Sequence, residues 1–331
     1  MSQKATEARE RAVRVAFVHE TDSTFVVQDL EMLGSFASVV DSRFASPLDA
    51  FRMAAAIARS EIVYIWFSSG RAATLALALG KVLGKKVVSV AGGSEVSSEP
   101  TFRGLGRRSR LRFFFTRLIL DTADCVLCVS DFTKREVLRC SRPRRCEVVH
   151  NAVDADRFRP SSKGQTILTV AAAKWRTKGI DRFIELASNL PNRRFLVVGG
   201  VAGEMPTGMA KPENVEFVGA LAPPQLVPIF AEARFYCQLS RYESFGVALA
   251  ESMLAGCVPI ASDAGALPEV VGDGGFVVPE GDPRRVAEII EGCWAQSDAL
   301  GRRARRRIEA GYSLDSRRSR LESLLKEIGG N

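Results

Sequence analysis

Apolar residues fall along this chain in short runs, with amphipathic stretches between them. Val13-Arg-Val-Ala-Phe-Val18, Ile62-Val-Tyr-Ile-Trp-Phe67 and Lys86-Val-Val-Ser-Val-Ala91 are rich in β-branched and aromatic side chains and read as strands. A helical stretch, Arg71 to Leu83, separates the last two, and a helix including Gln28-Asp-Leu-Glu-Met-Leu33 follows the first. Cys125 to Val129 is a further strand, and Ser130 to Val137 opens another helix. Such alternation predicts a parallel, doubly wound sheet. The pattern then repeats. Strands are expected at 166–172, Phe195–Gly199, Val215–Gly219, Arg234–Leu239, Val258–Ala261 and Phe276–Pro279, with helices at 179–189, Pro223–Glu232, 283–296 and 298–310. The polar segment Pro160-Ser-Ser-Lys-Gly164 separates the halves. The expected fold class is α/β, with two doubly wound Rossmann-like domains, 1–153 and 154–310, facing across a cleft, and an amphipathic tail at 311–331.

Composition adds limits. The chain has 331 residues, 46% apolar and 25% charged, long enough for two cores. No run approaches the ~18 apolar residues of a spanning helix. The N-terminus is charged and lacks an apolar signal core, so a cytoplasmic location is expected. Seven scattered cysteines and two histidines make no metal set, and the thiols read as reduced core residues. Net charge is +8, which favours anionic partners.

The most telling stretch is Ser240-Arg-Tyr-Glu-Ser-Phe-Gly-Val-Ala-Leu-Ala-Glu251. It follows an expected strand and enters an apolar segment, Val247 to Ala255, stopped by Gly256. With Ser244 as N-cap, the amides of Phe245, Gly246 and Val247 would open a helix unpartnered and form an anion cradle. Glu243 would lie at the carboxyl end of the strand, where open α/β sheets bind ligands. Glu251 would lie inside a buried helix, where a carboxylate is costly unless paired or bound. Two acceptors and an anion cradle suit a sugar nucleotide. The competing reading has Glu243 capping a turn and Glu251 paired with a buried arginine.

Glu243-Ser-Phe-Gly-x-x-x-x-Glu251, with Ala255-Gly-Cys-Val-Pro-Ile260 and Gly265-Ala-Leu-Pro-Glu269, resembles the donor-site signature of group 1 (family four) retaining glycosyltransferases of the GT-B fold. The resemblance implies that Glu243 contacts the transferred sugar and Glu251 the ribose. It implies that Lys178, before Gly179, meets the diphosphate, with Lys174 or Arg176 as a second cation; the family's usual arginine is Ala173 here. Asn151-Ala-Val-Asp, with Phe158-Arg-Pro160, resembles the segment where such chains leave the first domain, and the tail would cross back to it. The turn Gly92-Gly93-Ser94-Glu95-Val96 resembles the family's Gly-Gly-x-Asp-Val and would face the acceptor. His19 either touches the acceptor or is structural. The glycine-rich loop of many relatives is absent after the first strand. Sugar transfer from a nucleoside-diphosphate sugar with retention, without metal or cofactor, is therefore expected. The acceptor would be a glycan, a lipid-linked group or a small molecule, and no nucleic acid is expected.

Residues 103–120 carry arginines at 107, 108, 110, 112 and 117 before Phe113-Phe-Phe115. One reading is a basic helix lying on an anionic membrane, as in a peripheral protein. The other is a helix packed on the sheet by Phe113, Phe114, Leu118 and Ile119, with solvated arginines. Two rival functions remain: an epimerase or phosphorylase on the same fold, which would want acid and base groups such as histidines, and a non-catalytic basic nucleotide-sugar-, nucleic-acid- or membrane-binding protein.

Overall fold

The computed structural model describes residues 13–98, 109–171, 175–200 and 212–330. They fall into two compact units: residues 1–151 with 315–331, and residues 152–314. Each is built on a six-stranded parallel sheet.

The first unit runs β1 (Arg14–His19), α1 (Thr24–Gly34), β2 (Ser38–Arg43), α2 (Asp49–Arg59), β3 (Ile62–Trp66), α3 (Arg71–Val82), β4 (Lys86–Ala91), α4 (Arg110–Thr122), β5 (Cys125–Cys128), α5 (Asp131–Cys140) and β6 (Cys146–Val148). Its strand order is β2-β1-β3-β4-β5-β6. Every residue of β3 is buried, because helices cover both faces of a central parallel strand. The edge strand β2, with a weak apolar signal, and the amphipathic helix α2, which buries Met53, Ala56 and Ile57, were not anticipated. The helix Leu314–Gly329 (α12) belongs to this unit from Asp315 onward. It is tied in by a buried ion pair: Arg317 donates to Asp29 through Nε at 2.6 Å and Nη2 at 2.7 Å. Asp29 also accepts from Tyr64 Oη at 3.0 Å and Trp66 Nε1 at 2.8 Å, so its charge is fully bonded.

The second unit runs β7 (Thr166–Val170), α6 (Ile180–Asn189), β8 (Arg194–Val198), β9 (Val215–Phe217), α7 (Pro223–Glu232), β10 (Phe235–Gln238), α8 (Val247–Leu254), β11 (Val258–Ser262), α9 (Leu267–Val271), β12 (Phe276–Val278), α10 (Pro283–Cys293) and α11 (Ser297–Gly311). Its order is β12-β11-β10-β7-β8-β9. Strand order reverses at the β7–β10 pair. Chains leaving those neighbouring strands diverge to opposite faces of the sheet and leave a crevice at their carboxyl ends. Among the described residues, no helix is long and apolar enough to cross a membrane.

Candidate active site

The loops after β7 and β10, at the switch point of the second sheet, bring together two of the residues expected to meet a donor. The loop after β7 brings in Lys178, and the loop after β10 brings in Glu243. Their side chains meet, Lys178 Nζ to Glu243 Oε2, at 2.5 Å. Both are half-buried, so the pair is open to a ligand from one side. Two glycines permit the approach. Gly179 has φ 70°, and a Cβ there would stand 1.9 Å from the carbonyl oxygen of Leu239. Gly265 has φ 63°, and a Cβ there would stand 2.0 Å from the carbonyl oxygen of Glu243. Only residues without a side chain allow these loops to close on one another.

The helix α8 starts two residues later than the sequence suggested. Its N-cap is Gly246, in the left-handed region at φ 97°, and not Ser244. An extended serine could accept from the first turn, but a left-handed glycine turns the chain more sharply into the helix. The amides of Val247, Ala248 and Leu249 thus have no acceptor in their own helix and carry its positive end. Val247 is partly accessible; the Phe245 ring is buried edge-on to Tyr312, leaving only that residue's backbone for a ligand.

Glu251 lies in the second turn of α8. Among the described residues no arginine bonds its carboxylate, contrary to the competing reading, and Arg157 acts on it only through space. Burial pushes its pKa from 4.5 up to about 7, with Arg157 pulling weakly the other way. A half-buried carboxylate without a bonded partner among the described residues is a ready acceptor for ligand hydroxyls.

Arg241 was assigned no role from the sequence, although it lies inside the most telling stretch. It donates bidentately to Asp181, at 2.8 and 2.6 Å, and to the carbonyl of Arg176 at 2.5 Å. Its own amide bonds the carbonyl of Thr177 at 2.8 Å. Arg241 therefore clamps the Lys178 loop to the Glu243 loop. The available signal was an arginine two residues before Glu243, with Asp181 in the first turn of the partner helix. Arg176 is exposed beside the Trp175 ring. Lys174 lies outside the described residues.

The first unit treats the acceptor-side residues differently. His19 is buried, with Nδ1 at 2.8 Å from the Thr21 carbonyl and Nε2 at 2.9 Å from Asp41 Oδ1. Both ring nitrogens are used, so the structural alternative holds. Glu95 is fully buried rather than facing outward. Its Oε1 accepts from the amides of Gly92 at 2.9 Å and Ser68 at 3.2 Å, so the carboxylate organises its own turn. Burial pushes its pKa up, against those backbone bonds. A Cβ on Gly92 would stand 2.4 Å from Phe67 Cε1: the space belongs to the Phe67 ring. Gly93 has φ 102° and makes the turn.

Two family models match the chain: glycosyltransferase family 4 over residues 5–157 and glycosyl transferases group 1 over 164–296. The chain belongs to the group 1, family 4 glycosyltransferases. This family member is 27% identical over 236 residues to a D-inositol 3-phosphate glycosyltransferase of Mycobacterium sp. (strain KMS), covering 63% of this chain and 51% of the relative. A Mycobacterium bovis counterpart is 29% identical over 197 residues, covering 52% and 40%. The chain spans about half the length of the curated relatives it matches. Among solved structures, it is similar to a sucrose-phosphate synthase from Thermosynechococcus elongatus, with TM-score 0.73, 16% identity and coverage of 95% and 98%. Anabaena Alr3699/HepE in complex with UDP has TM-score 0.74 at 15% identity, covering 95% and 100%. These likenesses show the fold, which is of the GT-B type.

Proposed function

We propose that this family member transfers a sugar from a nucleoside-diphosphate sugar to an acceptor hydroxyl, with retention and without a metal ion. The observation that carries the proposal is the Lys178–Glu243 pair beside the open end of α8. An ammonium has three donors, so Lys178 can keep Glu243 and still offer two to a diphosphate. The α8 amides face the same charge. Lysine and helix end together stabilise the leaving diphosphate, the task a metal performs elsewhere. Glu243 is the contact to the transferred sugar and Glu251 to the ribose. Retention follows the family resemblance: the acceptor oxygen bonds the anomeric carbon on the face from which the diphosphate departs, and a diphosphate oxygen takes the hydroxyl proton. On the acceptor side we retain only the Gly92–Gly93 turn. Peripheral association with an anionic membrane also belongs to this reading.

A panel of nucleotide sugars, scored by released nucleoside diphosphate, tests it. The UDP and UDP-glucose complexes of Anabaena Alr3699/HepE put uridine diphosphate sugars first. The inositol phosphate relatives add phosphorylated polyols to the glycan and lipid-linked acceptors to be tried. Lys178→Ala should weaken donor binding and slow turnover together, losing about 1.5–3 kcal/mol. Glu243→Gln should lower kcat most, with bare nucleoside diphosphate binding as before. Loss of that binding in Glu243→Gln, with none in Glu251→Gln, would reverse the two assignments. Release from no donor in the panel would sink the activity itself.

A further inference from the structure

Helix α4 turns apolar side chains in two directions. Thr116, Ile119 and Leu120 are buried in the unit. Leu111, Phe114 and Leu118, spaced three and four residues apart, form a stripe pointing away from it, 66%, 59% and 39% exposed. Phe114 and Leu118 therefore do not pack on the sheet, as one of the two sequence readings required. Arg110, Arg112 and Arg117 are exposed on the same helix, and none has a carboxylate partner among the described residues. Arg107 and Arg108 lie outside those residues.

Beside the stripe, where α4 meets the end of α5, is a pocket of about 660 Å³ lined in part by Phe113, Arg117, Leu138, Arg139 and Arg142. Arg139 is engaged with Glu136 at 2.5 Å. The guanidinium groups of Arg117 and Arg142 have no acidic partner among the described residues; Asp121 nearby accepts from the backbone amide of Arg142 instead. Leu138, 52% exposed, continues the apolar surface to the pocket's rim. The result is an apolar stripe beside an open, arginine-lined hollow.

We propose that this face of the first unit docks on an anionic phospholipid bilayer, with a lipid phosphate held in the hollow by Arg117 and Arg142 and the stripe entering the interface. The proposal rests on the peripheral association stated above and gives it a place. Charge complementarity decides the occupant. A contiguous exposed apolar patch marks an interaction surface, and the arginines around it, with no acidic partner among the described residues, select a surface that is both apolar and negative. An interfacial helix has that composition. A nucleic acid would satisfy the arginines and leave Leu111, Phe114 and Leu118 in water.

The test is co-sedimentation of the full chain with vesicles rich in phosphatidylglycerol, against vesicles of phosphatidylcholine alone, over a range of salt. Wild type should bind the first, release as salt rises, and ignore the second. Arg117→Gln with Arg142→Gln should weaken binding about twenty-fivefold, at about fivefold per arginine near such a surface. Phe114→Asp with Leu118→Asp should abolish it. Both pairs are solvent-facing, so melting temperatures should stay at the wild-type value and show that folding is intact. Equal binding to phosphatidylcholine would overturn the proposal, as would wild-type binding by either double variant. So would uptake of duplex DNA that matches vesicle binding and survives Phe114→Asp with Leu118→Asp. Donor release measured without vesicles judges the transferase separately: its loss alongside intact vesicle binding would remove the activity and leave the docking face standing.

Discussion

Replacing Glu251 by Gln should stabilise the ligand-free protein at alkaline pH and weaken its hold on nucleotide. Burial raises the Glu251 pKa from 4.5 to about 7. In this case the folded state holds the proton more tightly than the unfolded chain. Stability is therefore fully present below about pH 4.5 and falls as pH rises toward 7, where the folded carboxyl must ionise. Between pH 5 and pH 8 the linkage amounts to about 2.5 kcal/mol if the whole shift is expressed. The side chain keeps some contact with water, and screening reduces the figure to about 1–2 kcal/mol. Gln has no proton to lose, so Glu251→Gln should gain that much on wild type between the two pH values. Urea unfolding at pH 5 and pH 8, followed by a probe within the second unit, measures the difference. Titration calorimetry with UDP should show weaker binding by the same variant, since an acceptor of hydroxyls has lost its charge. A variant whose stability relative to wild type is the same at both pH values would refute the argument. It would mean that the carboxylate is already solvated or partnered, and that no part of it is held in reserve for a ligand.

Three further substitutions probe the frame around the site. Gly179→Ala places a methyl against the Leu239 carbonyl at a left-handed position, so it should cost about 2–4 kcal/mol in urea unfolding and raise the donor KM as Lys178 moves; wild-type values for both would show that the loop has room. Arg241→Lys cannot reproduce the two-pronged bond to Asp181. It should lower UDP affinity several-fold while changing stability by less than about 1 kcal/mol, and an unchanged affinity would remove the clamp from the donor site. Arg317→Leu strands Asp29 inside the first unit, which should cost about 3–5 kcal/mol. Adding Asp29→Asn should recover part of that loss, and a double variant no more stable than the single would point to packing rather than charge.

The period of apolar and polar residues determined the class of fold. Runs such as Ile62–Trp66 and Phe235–Gln238 are too short and too continuously apolar for anything but buried strands, and the helices between them leave a parallel sheet as the solution. The edge strand Ser38–Arg43 escaped because an edge buries little, so it carries no such run. Chemistry followed a similar division. The spacing of Glu243, Gly246 and Glu251 on a strand–loop–helix passage is local, so the sequence alone could place them on consecutive turns of one passage. Contacts across sequence distance were not legible. Lys178 and Glu243 meet because β7 and β10 are neighbours in the sheet, and Arg241 reaches Asp181 for the same reason. Residue type alone left His19 open and turned Glu95 toward the acceptor, since a polar side chain at a strand's carboxyl end can turn inward to bond its own turn as readily as outward to a ligand. It left two readings open at Phe114 and Leu118, which sit among core residues in sequence yet face out, because a helix against a sheet buries only one side. Periodicity states which residues share a face; only packing decides which face is covered.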